Sequence, residues 1–475
     1  MVKPGKSTVL IGLMYGDEGK ARVMDVILKD YGVTARFNGG ANAGHSLFVN
    51  GIEIALNQVP SGIFYPDMEL YIGSGCVVNP VKGMREIANI ESKGLKIRDR
   101  LHISAFATLV QPHHILYDHL FSGEIGSTKN GIGPAYADQA MRAKGTEVRN
   151  TRFGDYISNP EHFRRLTQES FERMCKKYKV SEKKIKDFRL ENAVELFHEN
   201  VMLAKGFLSS DPLYLDRLVS SGKNVFFEGA QSVMLDVVKG MTPYVTASRT
   251  IAAAAYTGGD LSNKYHEKTI GVAKAVMSRV GNGPFVTELG GRRSEDYCGE
   301  TEGMLPRYRK EVEFANHDPE KLLRSDDMFD IGMALRMMTG EYGVVSKRPR
   351  RLGMFDLVML RQNCKLNGVD ELYINKFDCL NIFAKTNLPG IPVVTAYELD
   401  GRKIDYMPSS VEEARRARPV VEYVPFIRGD ISGIRQYSDL PSTVKSMVDL
   451  IENHVGTKIK GIGVGPKREQ FVLIP

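Results

Sequence analysis

VLIGLMYGDEGKARVMDVIL, residues Val9–Leu28, reads as a short strand, a glycine-rich turn and the opening of a helix. Val9, Leu10, Ile11 and Leu13 make the apolar run of a buried strand. Gly12, Gly16 and Gly19 let the backbone bend sharply and approach a ligand closely. Lys20 then begins a helix whose Val23, Met24, Val26, Ile27 and Leu28 form an apolar face. Amides and dipole at that helix N-terminus favour an anion, which makes a phosphate cradle. The spacing is not that of the usual P-loop: six residues separate Gly12 from Gly19, and Ala21 follows the lysine where Ser or Thr would hold a metal. Asp17 and Glu18 stand within the turn, where two carboxylates repel a phosphate unless a metal or a reacting proton lies between. Taken alone, the stretch fits a phosphate site or a helix N-terminus whose acidic residues suit its dipole.

The next segment, RFNGGANAGHSLFVNG (Arg36–Gly51), is a second glycine-rich loop leading into an alternating strand. With GDEGK about twenty residues upstream, it resembles the adenylosuccinate synthetase family, whose members carry WGDEGKGK and GGNNAGHT loops. The resemblance continues through LNQVPSGI (Leu56–Ile63), IGSGCVVNP (Ile72–Pro80), IGSTKNGIGPAYAD (Ile125–Asp138), FEGAQ (Phe227–Gln231), TPYVTAS (Thr242–Ser248), RVGNGPFVTEL (Arg279–Leu289), EYGVVSKRPRRLGMFD (Glu341–Asp356) and NKFD (Asn375–Asp378). These blocks occur in family order over nearly the whole chain, and their combination is specific where no single one is.

The resemblance implies a two-step ligation. A nucleoside triphosphate phosphorylates the 6-oxygen of a purine monophosphate, and the amine of aspartate then displaces that phosphate. The 6-oxygen is a poor nucleophile until the N1 proton is removed, so a general base must face N1. Asp17 matches that base, His45 the general acid and Lys20 the phosphate-binding lysine. Mg²⁺ would take the Asp17 carboxylate and the Gly44 carbonyl. Asn42, Thr128, Arg142, Gln231 and Thr246 match the purine-nucleotide residues, with Arg142 reaching across the twofold of a homodimer. Ser346, Arg348 and Arg350 match the amino-acid loop. Gly16, Gly19, Lys20, Gly44, Lys376, Asp378 and Gly465 match the GTP residues, the Asp378 carboxylate being suited to the N1 proton and 2-amino group of guanine.

Several blocks depart from the family pattern. Val344, Val345, Ser346 and Lys347 stand where TTTG is usual, and Lys129 and Asn130 replace the glycine and arginine of TTGRG. Tyr15 replaces a tryptophan, GKAR replaces GKGK, and Gly463 stands where a serine is usual.

Composition agrees with a small-molecule enzyme. The chain has 475 residues with 42% hydrophobic side chains, enough for a large core. Five cysteines, odd in number and without CxxC spacing, read as reduced thiols. The N-terminal MVKPGKS leads directly into the first strand without the apolar core of a signal peptide, and no apolar run approaches membrane-spanning length. The expectation is a cytoplasmic protein. The net charge of +7 is widely spread, and its densest cluster, Lys347–Arg351, lies in a family block. Small anionic substrates account for it better than nucleic acid.

The expected fold is α/β: one domain over 1–475, with a large, mainly parallel central sheet, helices on both faces and a P-loop-NTPase-like arrangement. A helical excursion is expected over about 155–220 and a polar surface insertion over about 290–340. KTIGVAKAVMSRV is read as a further strand. Three functions are weighed: a GTP-dependent ligase acting on IMP, a phage-type synthetase acting on (d)GMP, and a nucleotide-binding module without catalysis. Retention of Asp17, Lys20 and His45 favours the first.

Overall fold

The computed structural model describes residues 3–49, 52–121, 128–141, 150–299, 309–343 and 348–475, the side chains of 45–49, 52–53 and 309 excepted. Arg142 and Ser346 therefore lie outside the described residues, as does the side chain of His45. The chain forms two compact units. The first comprises Met1–Ile11, Ala21–Gln231 and Thr246–Lys268, and the second Gly12–Lys20, Ser232–Val245 and Thr269–Pro475.

Ten strands build the main sheet: β1 (Ser7–Gly12), β2 (Val33–Arg36), β3 (Glu69–Ile72), β4 (Leu101–Ser104), β5 (Leu208–Ser209), β6 (Val225–Ser232), β7 (His266–Lys274), β8 (Glu371–Asn375), β9 (Lys458–Gly463) and β10 (Phe471–Leu473). In the first unit the order is β1-β6-β2-β3-β4-β5, with parallel registers from β6 to β5 such as Phe227↔Ala35 and Ala35↔Tyr71. In the second unit the order is β10-β9-β8-β7, parallel except that β10 runs antiparallel to β9. All six residues of β1 are buried, as a strand covered on both faces requires. α-Helices lie in the other connections between successive parallel strands, whereas the β2–β3 connection carries the hairpin His45–Val49/Ile52–Leu56 and the 3-10 turn Ser61–Phe64.

Sequence chemistry sets the helix ends. The helix α1 (Lys20–Ile27) starts directly after the glycine turn. The helix α2 (Pro80–Ser92) has Pro80 in its first turn and Asn79 as N-cap, whose side chain accepts from the Lys82 N–H. Helices α3 (Pro112–Phe121) and α4 (Ile132–Met141) follow in the same unit. The 155–220 stretch includes the helices Pro160–Lys177 and Ala193–Ala204. No described helix is long and apolar enough to cross a membrane.

Two sequence readings change. KTIGVAKAVMSRV is not one strand: β7 ends at Lys274, and Met277–Arg279 pairs separately and antiparallel with Arg351–Gly353. The 290–340 stretch is not simply a surface excursion. Its helix Met328–Thr339 buries Phe329, Ile331, Met333, Leu335 and Met337, and its Arg336 makes a buried ion pair with Glu313 at 2.7 Å. Counting charges marked the stretch as solvated, but charges that satisfy one another inside the fold are indistinguishable by composition.

Candidate active site

In the second unit the turn after β1 is organised around Glu18, which is 1% exposed. Its Oε1 accepts from the Met14 N–H at 3.2 Å, the Gly16 N–H at 2.8 Å and Ser232 Oγ at 2.5 Å, and its Oε2 accepts from Lys20 Nζ at 3.1 Å. The carboxylate therefore faces inward as the clamp of the turn, and the repulsion expected of it toward a phosphate does not arise. A Cβ on Gly12 would lie 2.2 Å from Ser232 Oγ and 2.3 Å from Glu18 Oε2, so only glycine leaves room for this clamp.

Asp17 points the other way. Its side chain is 47% exposed, and its Oδ2 pairs with Arg350 Nη2 at 2.8 Å. Its backbone sits at φ +57°, a left-handed conformation that costs a non-glycine residue about 1 kcal/mol. Gln231 (φ +56°) and Lys376 (φ +59°) share that conformation. Strained residues of this kind concentrate where side chains must be aimed, and all three were singled out from the sequence.

Arg350 leads to a hub absent from the sequence reading. Glu341, fully buried, accepts from Arg350 Nη1 at 2.7 Å, from Ser278 Oγ at 2.7 Å and from Lys376 Nζ. Lys274, also fully buried, donates to Ser278 Oγ at 2.6 Å and to the Gly16 carbonyl at 3.0 Å. Burial alone would raise the Glu341 pKa, yet Lys274, Lys376 and Arg350 outweigh it and hold the carboxyl well below the ordinary range. Burial lowers the Lys274 pKa, with Glu341 opposing. One carboxylate thus ties the Asp17 loop, the arginine loop and the NKFD loop together. Lys274 had left a signal, a lone lysine within the apolar run GVAKAV.

Asn375 closes β8 and staples the same turn, its Nδ2 donating to the Glu18 carbonyl at 2.7 Å and the Gly19 carbonyl at 3.1 Å. A Cβ on Gly463 would lie 2.7 Å from Asn375 Oδ1. The glycine in place of the family serine therefore leaves space for this amide. Asp378 begins the 3-10 turn Asp378–Lys385, beyond the carboxyl end of β8. Arg348 is 8% exposed, and its carbonyl accepts from the Gly343 N–H at 2.8 Å. Gly465 lies against the Gln470 side-chain amide.

The first unit holds the second glycine loop. Asn42 Oδ1 accepts from the Gly40 N–H at 3.1 Å, and the Gly39 N–H donates to Tyr136 Oη at 3.0 Å. Asn38 exchanges bonds with the Ala230 backbone at 2.8 and 3.2 Å. Its Nδ2 also reaches Ser248 Oγ, which donates to Gln231 Oε1 at 3.5 Å. The loop is thereby joined to FEGAQ and to the segment carrying Thr246, three blocks distant in sequence. Thr128 Oγ1 accepts from Asn130 Nδ2 at 3.1 Å. Gly44 is exposed, with nothing within 4 Å of where a Cβ would stand, and His45 opens a strand paired with Ile52–Leu56 through His45↔Leu56.

Asp17 offers a half-exposed carboxylate, an oxygen donor of the kind Mg²⁺ takes. A second cluster, His113, His114 and Asp138, also has metal-ligand composition. There the Gln111 N–H donates to His114 Nδ1 at 3.0 Å, leaving His114 Nε2 to carry the proton toward Asp138 Oδ2 at 3.1 Å. A protonated nitrogen cannot ligate, so this cluster is a hydrogen-bonded pair of helices α3 and α4.

Known proteins match this arrangement along its full length. The family profile of adenylosuccinate synthetase matches residues 9–472. Adenylosuccinate synthetase 2 of Cupriavidus pinatubonensis is 41% identical over 471 residues, covering 99% of this chain and 98% of its own. The adenylosuccinate synthetase of Streptococcus gordonii is 33% identical over 477 residues, with 98% of each chain covered. Among solved structures, fully ligated adenylosuccinate synthetase from Plasmodium falciparum superposes with a TM-score of 0.81 at 29% identity, covering 99% of this chain and 100% of that one. The cyanophage S-2L succinoaminodeoxyadenylate synthetase, bound to dGMP and dATP, has a TM-score of 0.58 at 18% identity over 99% and 96% of the chains, a likeness of fold alone. A strand–glycine turn–helix built round a buried glutamate, an arginine-held aspartate and a full-length match at these identities lead to one conclusion: the chain belongs to the adenylosuccinate synthetase family.

Proposed function

We propose that this chain is a GTP-dependent C–N ligase that condenses aspartate with IMP, through a 6-phosphoryl intermediate, to give adenylosuccinate. The observation that carries the assignment of roles is the Asp17 carboxylate, half-exposed and fastened to Arg350 at 2.8 Å, with Arg350 tied through Glu341 to Lys376. Asp17 takes the N1 proton of hypoxanthine while the 6-oxygen attacks the γ-phosphorus of GTP and GDP leaves. His45 supports the charge developing on the 6-oxygen. The aspartate amine then bonds to C6, and inorganic phosphate departs with the C6–O bond electrons.

Lys20 and the amide of Gly19 receive phosphate oxygens at the start of α1, while Gly16, its own amide held by Glu18, lets the turn approach them. Lys376, Asp378 and Gly465 hold the guanine. Asn42, Thr128, Gln231 and Thr246 hold the purine monophosphate, and Arg348, Arg350 and Ser346 the amino acid. Mg²⁺ held by the Asp17 carboxylate and the Gly44 carbonyl, when bound, neutralises charge on the phosphate oxygens. Arg142 completes the partner's nucleotide site in a homodimer. We assign the enzyme to the cytoplasm, where its nucleotides and aspartate are found.

The two other readings are not favoured. Relatives at 41% and 33% identity over the whole chain are adenylosuccinate synthetases, whereas the phage-type enzyme shares 18%. The sequence also retains Asp17, Lys20 and His45, which a binding module could discard. The test is purified protein with Mg²⁺, GTP and aspartate, offered IMP, dIMP, GMP and dGMP in turn. IMP should give the highest kcat/KM; a higher value for dGMP would overturn the assignment.

A further inference from the structure

The loop Thr128-Lys129-Asn130-Gly131 has an asparagine where the TTGRG pattern has its arginine, yet Lys82 brings a cation to the same place from another element. Asn130 is 8% exposed; its Nδ2 donates to the Ala41 carbonyl at 3.2 Å and to Thr128 Oγ1 at 3.1 Å, and its Oδ1 accepts from Lys82 Nζ. Lys82 lies in the first turn of α2, fixed there by the Asn79 cap. Its ammonium thus rests on a neutral amide, and among the described residues no carboxylate pairs with it.

The surroundings add positive charge. Burial and the nearby Arg85 both lower the Lys82 pKa. His119, lowered first by its own burial, also feels both Lys129 and Lys82. Lys129 holds φ +55°, the conformation of the glycine it replaces, and so keeps the loop path while adding a second cation. The Asp118 carboxylate, which accepts from the Gly131 N–H at 2.8 Å, offsets part of this charge, and the excess of Lys82, Arg85 and Lys129 over it attracts an anion.

We propose that Lys82, carried by Asn130 beside Thr128, binds an anionic oxygen of a substrate in place of the missing arginine. This rests on the reading that Thr128 belongs to the substrate site. Two sources offer that oxygen, the phosphate of the purine monophosphate and a carboxylate of the amino acid.

The experiment measures kcat and the three KM values in Lys82→Met and in Lys82→Met/Asn130→Arg. A charge-assisted contact of this kind is worth roughly tenfold or more in affinity. The single variant should raise one KM by that factor, with the other two within about twofold. A rise for IMP identifies the phosphate, and a rise for aspartate the carboxylate. The double variant should recover most of the loss, because the arginine restores the cation from the loop itself. Unchanged KM values, a rise confined to GTP, or failure of Asn130→Arg to rescue would overturn the proposal. Wild-type protein that does not convert IMP would instead overturn the functional reading, and calorimetric titration of Lys82→Met with IMP and aspartate would still decide the role of Lys82.

Discussion

Glu341→Gln should destabilise the second unit by about 3–5 kcal/mol, the cost of breaking a buried ion pair by removing one partner. The wild-type carboxylate spreads one negative charge over two oxygens, both accepting. Oε1 serves Lys376, while Oε2 serves Ser278 and Arg350 at 2.7 Å each. Glutamine keeps one acceptor and must turn its NH₂ toward donors on the other side. Fully buried Lys274 would then lose the carboxylate that most offsets its burial, since its direct partners are the neutral Ser278 Oγ and the Gly16 and Asp17 carbonyls, and Asp17 and Glu18 act on it more weakly. Each charge-assisted bond lost is worth about 1.5–3 kcal/mol, so losing two already reaches the stated range. Urea unfolding followed by far-UV circular dichroism and tyrosine fluorescence suits a chain that has no tryptophan. The sign with pH follows from linkage. The Glu341 pKa is depressed on folding, so its stabilisation is fully present above the unfolded value of about 4.3 and is lost as pH falls toward the folded one. The gap between wild type and variant should therefore be widest near neutral pH and narrow in acid. Loosening Arg350 should also release Asp17 and lower kcat. A destabilisation under about 1 kcal/mol, or a gap that widens in acid, would refute the hub.

Asp378→Asn should weaken GTP and admit XTP, whose 2-oxo group accepts from the new amide; an unchanged GTP KM would remove Asp378 from the base site. An inactive Asp17→Ala chain mixed with an inactive Arg142→Ala chain should regain activity, because one hybrid site holds both residues. No recovery after demonstrated subunit exchange would refute Arg142 in trans. Burial pushes the Asp356 carboxyl up to about 6, against the pull of the Met359 amide and Tyr397 hydroxyl. This group therefore costs stability progressively from about pH 4 to 6, and Asp356→Asn should gain about 3 kcal/mol on wild type across that window. Parallel stability–pH curves would contradict it. Lys129→Gly should relieve the left-handed strain and stabilise the fold by about 0.5–1 kcal/mol, as urea midpoints can check; a destabilised variant would show that the lysine side chain contributes more than its backbone costs.

Sequence alone determined the local pieces. The apolar run of β1, the glycines of the turn and the start of α1 at Lys20 are set by neighbours within a few residues, and they appear where they were read. The ten or so blocks in order determined the family, because their joint occurrence encodes a fold that no single block does. What only the tertiary structure decided is where charges separated in sequence meet. Glu18 and Asp17 are adjacent acidic residues in the same turn, yet one is enclosed by two backbone amides, a serine and a lysine, and the other faces outward to Arg350. Glu341 read as the first letter of a motif block, and Arg336 and Glu313 as solvated charges. Their burial depends on partners 9 to 67 positions away: Arg350 and Lys274 for Glu341, and one another for Arg336 and Glu313. A periodic pattern records which face of an element is apolar, because that is a one-body property of each residue. Which cation neutralises which carboxylate is a pairwise property of the folded chain, and it exists only once the strands have brought the loops together.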